Sequence, residues 1–157
     1  MRVAPLVFAW MLAAAVVTPA GAVDSFEPAP QHDKLGAART HLSARRYADA
    51  IAELKRVDDR ANADWNNLMG YAHRKLNPPD LANAERHYDA ALRIVPEHRG
   101  ALEYSGELYL MKGELARAEQ RLDQLARACR AACEEHADLK QAVARYKAAG
   151  NRYVQAN

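Results

Sequence analysis

Cysteine and phenylalanine occur only twice each, and glycine seven times, in the 157 residues of the chain. Scarce glycine and the lack of alternating β-branched stretches exclude a turn-rich sandwich or barrel. No block of one charge occurs either: 22 basic residues are set against 20 acidic ones, and the longest basic runs are Arg45-Arg46 and Arg74-Lys75. A nucleic-acid binder neutralises phosphates along a basic stripe, so that class is set aside. Also missing are a glycine-rich phosphate loop, a nucleophile elbow and a zinc-protease motif, while acidic residues alternate with basic ones as on solvated helix faces. The chain is therefore expected not to be an enzyme and to need no cofactor and no metal.

What is present begins with Arg2, an apolar run from Leu6 to Val17, and Thr18-Pro19-Ala20-Gly21-Ala22. The run is shorter than the roughly 20 residues that cross a bilayer, and small Ala20 and Ala22 suit a cleavage site after Ala22. Residues 1–22 are expected to be a signal peptide, and residues 23–32, with Pro28 and Pro30, a flexible leader. The mature chain is then periplasmic or secreted, without a membrane span, and its charge balance becomes 21 basic against 20 acidic residues once Arg2 is gone. No cysteine follows the cleavage site to carry a lipid.

From Asp33 onward apolar residues recur every three or four positions among many alanines, which is a helical pattern. The helix pairs expected are 33–44 with 47–58, 63–76 with 81–95, and 98–112 with 114–128, followed by a last helix at 134–149. Asn77-Pro78-Pro79-Asp80 and Gly113 punctuate them. Tyr47-Ala48-Asp49-Ala50, Leu81-Ala82-Asn83-Ala84 and Leu115-Ala116-Arg117-Ala118 stand at a constant interval, continued by Leu54, Tyr88 and Leu122 and then by Val57, Ala91 and Leu125. A period of about 34 residues marks a chain built of repeated helical hairpins.

These residues resemble the tetratricopeptide repeat family. The second unit fits best, with Gly70, Ala84, Ala91 and Pro96 at the family's small and closing positions, Tyr88 at its aromatic one and Trp65 near its tryptophan. The third unit supplies Gly106, Tyr109, Gly113 and Ala118 but departs with Leu125, and the first has Ala38 in place of glycine. The resemblance implies an all-α domain over residues 33–150. Three hairpins, about 33–62, 63–96 and 97–130, would stack in a right-handed solenoid closed by a capping helix at about 134–149. Small residues let the helices of a pair nest, with Gly70 facing Ala84 and Ala91. On the capping helix Leu139, Val143 and Tyr146 share the inner stripe.

The resemblance also implies a concave groove lined by the first helix of each unit. Carried onto this chain, the lining is Arg39; Asn67, Tyr71, Arg74 and Lys75; and Glu103, Glu107, Leu110 and Met111. This mixture of a basic end, an acidic end and aromatic or thioether patches suits an extended peptide or a helix. It does not fit a carboxylate clamp, because Tyr71 and Glu107 stand where asparagine would be wanted.

Cys129 and Cys133 lie four residues apart in a chain expected to leave the reducing cytosol, which favours a disulfide. The alternative is a metal- or cofactor-handling cluster of Cys129, Cys133 and His136, although a fourth ligand is not evident and the spacing matches no standard zinc arrangement. His32, His41, His73, His87 and His98 are scattered, and His73 is expected to pack. The function expected is that of an exported scaffold or adaptor that binds a protein or peptide, for assembly or recruitment in the bacterial envelope. Self-association through the repeats is a further reading.

Overall fold

The computed structural model describes residues 33–130 and 133–154, and all described regular structure is helical. The expected signal peptide and leader lie outside the described residues. Seven helices follow one another: α1 Gly36–Ser43, α2 Tyr47–Val57, α3 Ala63–Lys75, α4 Leu81–Ile94, α5 Arg99–Met111, α6 Leu115–Ala128 and α7 Glu134–Ala148. Among the described residues no helix is long and apolar enough to cross a membrane.

Local chemistry sets the helix limits. Asn62 caps α3 by accepting from the amide of Trp65 at 3.2 Å, and Asp80 caps α4 by accepting from Asn83 at 3.1 Å. His98 does the same for α5, its Nδ1 accepting from Ala101 at 3.1 Å. Each supplies an acceptor to one of the amides that a helix N-terminus leaves free. At the other end, α5 stops at Gly113, whose φ of 78° is a left-handed conformation that L side chains rarely adopt.

Each helix packs against the next, and α1, α3, α5 and α7 also touch in sequence. Two buried clusters result. One gathers Leu35, Ala38, Ile51, Leu54, Trp65 and Met69 from α1 to α3; the other runs from Tyr88 on α4 through Leu102, Leu108 and Leu125 to Leu139 and Tyr146 on α7. Two close helix approaches are made at glycine. A Cβ placed on Gly70 would lie 2.6 Å from the Tyr88 ring, and one on Gly106 would lie 2.5 Å from Leu139. The atoms nearest such a Cβ on Gly70 all belong to the ring of Tyr88, so the glycine makes room for the largest side chain of the facing helix. Trp65 ties α3 to α2 by donating its indole N–H to the carbonyl of Leu54 at 2.7 Å. On α7, Leu139, Val143 and Tyr146 are all buried.

Cys129 and Cys133 form a disulfide with Cα atoms 5.7 Å apart. Helix α6 ends at Ala128 and α7 begins at Glu134, so the two bridged cysteines lie between the helices and within neither.

Substituting Gly70 by Ala forces the Tyr88 ring aside, and overpacking of this kind costs about 1–3 kcal/mol; urea unfolding of G70A checks it, and an unchanged midpoint would refute the close packing. Replacing both cysteines by serine should lower stability by about 2 kcal/mol or less, because so short a loop restrains the unfolded chain little. Calorimetry of the double variant measures that loss.

Candidate functional site

The residues expected to line the groove fall on α1, α3 and α5, the helices that touch in alternation. Between them lies a cleft of about 270 Å³ walled by Arg39, Leu42, Asn67, Leu68, Tyr71 and Tyr104. Tyr71 and Tyr104 stand with ring centroids 4.9 Å apart, and Tyr47 lies 6.4 Å beyond Tyr71 edge-on. Arg39 is exposed and lies 3.5 Å from Asp33 and 3.7 Å from Asp64, contacts too solvated to fix it firmly. Asn67 is only 8 % exposed, and its Oδ1 has no hydrogen-bond partner among the described residues.

Arg74 behaves differently from the expectation. It is 2 % exposed, its Nη1 sits 2.6 Å from Glu107, and its Nε donates to the Tyr88 hydroxyl at 3.3 Å. Its guanidinium lies 5.5 Å from the centroids of both Tyr71 and Tyr104. A buried, paired arginine serves the fold: it joins α3, α4 and α5, and removing one partner of such a pair typically costs about 3–5 kcal/mol. Leu110 is a correction of another kind, being 1 % exposed and part of the second core cluster. Helix α5 is covered by α4, α6, α7 and α3, so the stripe left open on it is narrower than on a helix with fewer neighbours.

Lys75 is half-buried with its ammonium 5.7 Å from the Tyr71 centroid. Met111 is half-buried in a second cleft of about 350 Å³, shared with Arg74, Lys75, Leu76, Pro79 and Tyr153. Tyr153 comes from the segment after α7, packs on the second core cluster and has its hydroxyl pKa raised by burial. Neither Tyr104 nor Tyr153 was among the expected residues. Tyr104 follows Glu103 and precedes Glu107 by three positions, a helical spacing that could have flagged it; nothing in the sequence placed Tyr153.

Glu103 is 7 % exposed and makes no ion pair or hydrogen bond among the described residues. Burial first, then the charges of Glu107, Asp138 and Glu135, push its carboxyl up to about 8, against the pull of Arg74.

A larger cleft of about 660 Å³ opens on the other side of α3, lined by Lys55, Arg60, Trp65, Asn66, Arg86 and His87 among others. His73 and His87 stack there with centroids 5.7 Å apart, and Asn66 Oδ1 lies 3.3 Å from His87 Nδ1. His73 is buried as expected. Its Nδ1 lies 3.2 Å from an Asp80 carboxylate oxygen without hydrogen-bond alignment. Burial lowers both imidazoles, His87 to about 4, where His73 and Arg86 add to the effect.

With their sulfurs bonded to each other, Cys129 and Cys133 offer no thiolates to a metal beside His136. Among the described residues no group of three His, Cys, Asp or Glu side chains is placed to hold a metal ion. No protein-family model matches the chain, and no curated protein is recognisably similar to it.

The lowered histidines make stability depend on pH. The unfolded imidazole takes a proton near 6.5, whereas folded His87 does so only near 4, so the unfolded chain binds more protons between these values. Stability is full above 6.5 and falls as the pH drops toward 4. His87→Gln should flatten denaturant midpoints across that window, and an unchanged slope would contradict the burial of His87.

Proposed function

We propose that the chain is an exported scaffold of the tetratricopeptide type, non-catalytic, whose odd-numbered helices form a groove for a protein or peptide partner. The observation that carries this reading is the row of half-open side chains Tyr71, Tyr104 and Lys75 on α3 and α5, with the buried, unpartnered Asn67 on the wall of the same cleft as the two tyrosines and the buried Arg74–Glu107 pair linking the two helices. Tyrosine offers large contact area at little cost in lost rotamers, and a polar acceptor beside it fixes a guest's register. The period of the even-numbered helices, the serial helix contacts and the glycine–tyrosine approach support the repeat assignment. The disulfide supports an oxidising compartment, the periplasm or the cell exterior, where such a protein would recruit or assist assembly of an envelope component.

Arg74 is unsuited to test this, since its loss would unfold the site. A photo-activatable residue at Tyr71 should cross-link one partner in the parent cell, and the same residue at exposed Arg127 on α6 should not. Adding Lys75→Glu should abolish the adduct while the helical circular dichroism is kept. Equal adducts at both positions, or none at Tyr71, would reject the groove.

A further inference from the structure

We infer that the larger cleft, walled by α2, α3 and α4, is a binding site for a small organic phosphate monoester, its phosphoryl group held by Lys55, Arg60 and Arg86 and its body lying over Trp65 and Met69. The site shares no lining residue with the clefts of the proposed groove and does not rest on that reading.

Three separate elements bring cations to this cleft. Lys55 comes from the last turn of α2, Arg60 from the turn before α3 and Arg86 from α4, and among the described residues the one carboxylate on the wall is Asp58. Asp58 takes only the Nε of Arg60, at 2.7 Å, and Arg86 donates one nitrogen to the side-chain oxygen of Asn83. The other acids near Lys55 in the chain are engaged elsewhere: Glu53 holds Arg56 at 2.6 Å, and Asp59 accepts from Asn62 at 3.3 Å. The wall therefore carries an excess of two positive charges, which a phosphate monoester matches near neutral pH and a single carboxylate does not. Guanidinium forks also suit phosphate oxygens in shape.

Hydrogen bonds fix the base of the cleft. Asn66, 3 % exposed, donates from Nδ2 to the carbonyls of Arg60 at 2.8 Å and Asn62 at 2.9 Å. This holds the turn that bears Arg60 and leaves the Asn66 Oδ1 to accept from His87 Nδ1 at 3.3 Å. Nδ1 of His87 then carries the hydrogen, and Nε2 is the nitrogen left for a ligand. Trp65 packs edge-on against the same ring with centroids 5.6 Å apart. A cleft of about 660 Å³ is of small-molecule size and exceeds what a phosphoryl group fills, so the ligand carries an organic body over Trp65, Met69 and Ala90.

The repeat period does not account for this cluster. One interval further along the chain, Asp89 stands for Lys55, Gly100 for Asn66, Gln120 for Arg86 and Arg121 for His87.

A seated anion should be felt at the His87 ring. Burial, then the charges of His73, Arg86 and Arg60, keep this imidazole neutral down to about pH 4 against the pull of Asp80, while Lys55 faces its stacking partner His73. A phosphoryl group between Arg60 and Arg86 offsets their repulsion, so His87 takes its proton at a higher pH with the ligand bound.

The test titrates the full chain with phenyl phosphate near neutral pH by isothermal calorimetry. Phenyl phosphate should bind more tightly than inorganic phosphate, which lacks the body, and than benzenesulfonate, which keeps the shape with a single charge. Arg86→Gln and Lys55→Gln should each weaken it about tenfold, the worth of one charge-assisted hydrogen bond, while Arg127→Gln on α6 changes little. All three residues are exposed, so helical circular dichroism should be kept in each variant. Magnetic resonance of the His87 ring should show its protonation moved to higher pH by saturating phenyl phosphate. No binding, equal binding of inorganic phosphate or benzenesulfonate, undiminished binding by R86Q and K55Q, or an unmoved His87 would overturn the assignment. Vesicles of phosphatidylcholine carrying phosphatidate separate a lipid source from a soluble one. The chain should stay unbound, and capture that R86Q abolishes would give the cations to a membrane surface and end the small-molecule reading. A missing cross-link at Tyr71 would reject the groove and leave this site standing.

Discussion

The ring of Tyr88 rests on the bare backbone of Gly70, and its hydroxyl is reached by Arg74, whose other nitrogen holds Glu107. Three helices meet in that chain of contacts. The nesting of α3 on α4 brings the tyrosine hydroxyl within range of the arginine, and the arginine carries the register on to α5. Drawing Arg74 inward also decides what is left outside: Tyr71 and Lys75 flank it in sequence but remain half-open. The candidate face is in this sense what remains after the fold has taken its share of the same helix.

Helix order and limits were legible because they follow from local chemistry. Observed helices start and stop within three residues of the expected ones, since Asn62, Asp80 and His98 stand at helix starts and Gly113 at a helix end. The period of Ala50, Ala84 and Ala118 was legible for the same reason, each being fully buried at an equivalent place. The candidate face was only partly legible. A helical stripe says which way a side chain points, not how far neighbouring helices reach around it. Leu110 and Arg74 were lost to the interior on that account. Tyr153 joins the face through a non-periodic segment after α7, and the isolation of Glu103 depends on acids of α7 that lie more than 30 positions along the chain.

Charge is distributed unevenly in a way that composition hides. Along the edge of α4, α5 and α6, Lys112, Arg117 and Arg121 surround Tyr109, with the Arg117 guanidinium 3.8 Å from the ring centroid, and the acids Glu85, Glu114 and Asp89 close the circuit. Exposed pairs of this kind are individually weak but hold one another in place as a network. Near neutrality overall thus conceals one side with its charges matched and another with a carboxylate left over.

The apolar interior divides into two clusters along a line between α3 and α4 that the Gly70–Tyr88 approach bridges. Along it lie the polar side chains of Asn66, His73 and His87, which tolerate water far better than leucine does. The smaller cluster around Trp65 is the half with less to lose, so α1 and α2 form the natural unit of partial opening, peeling from a body in which α3 stays nested on α4.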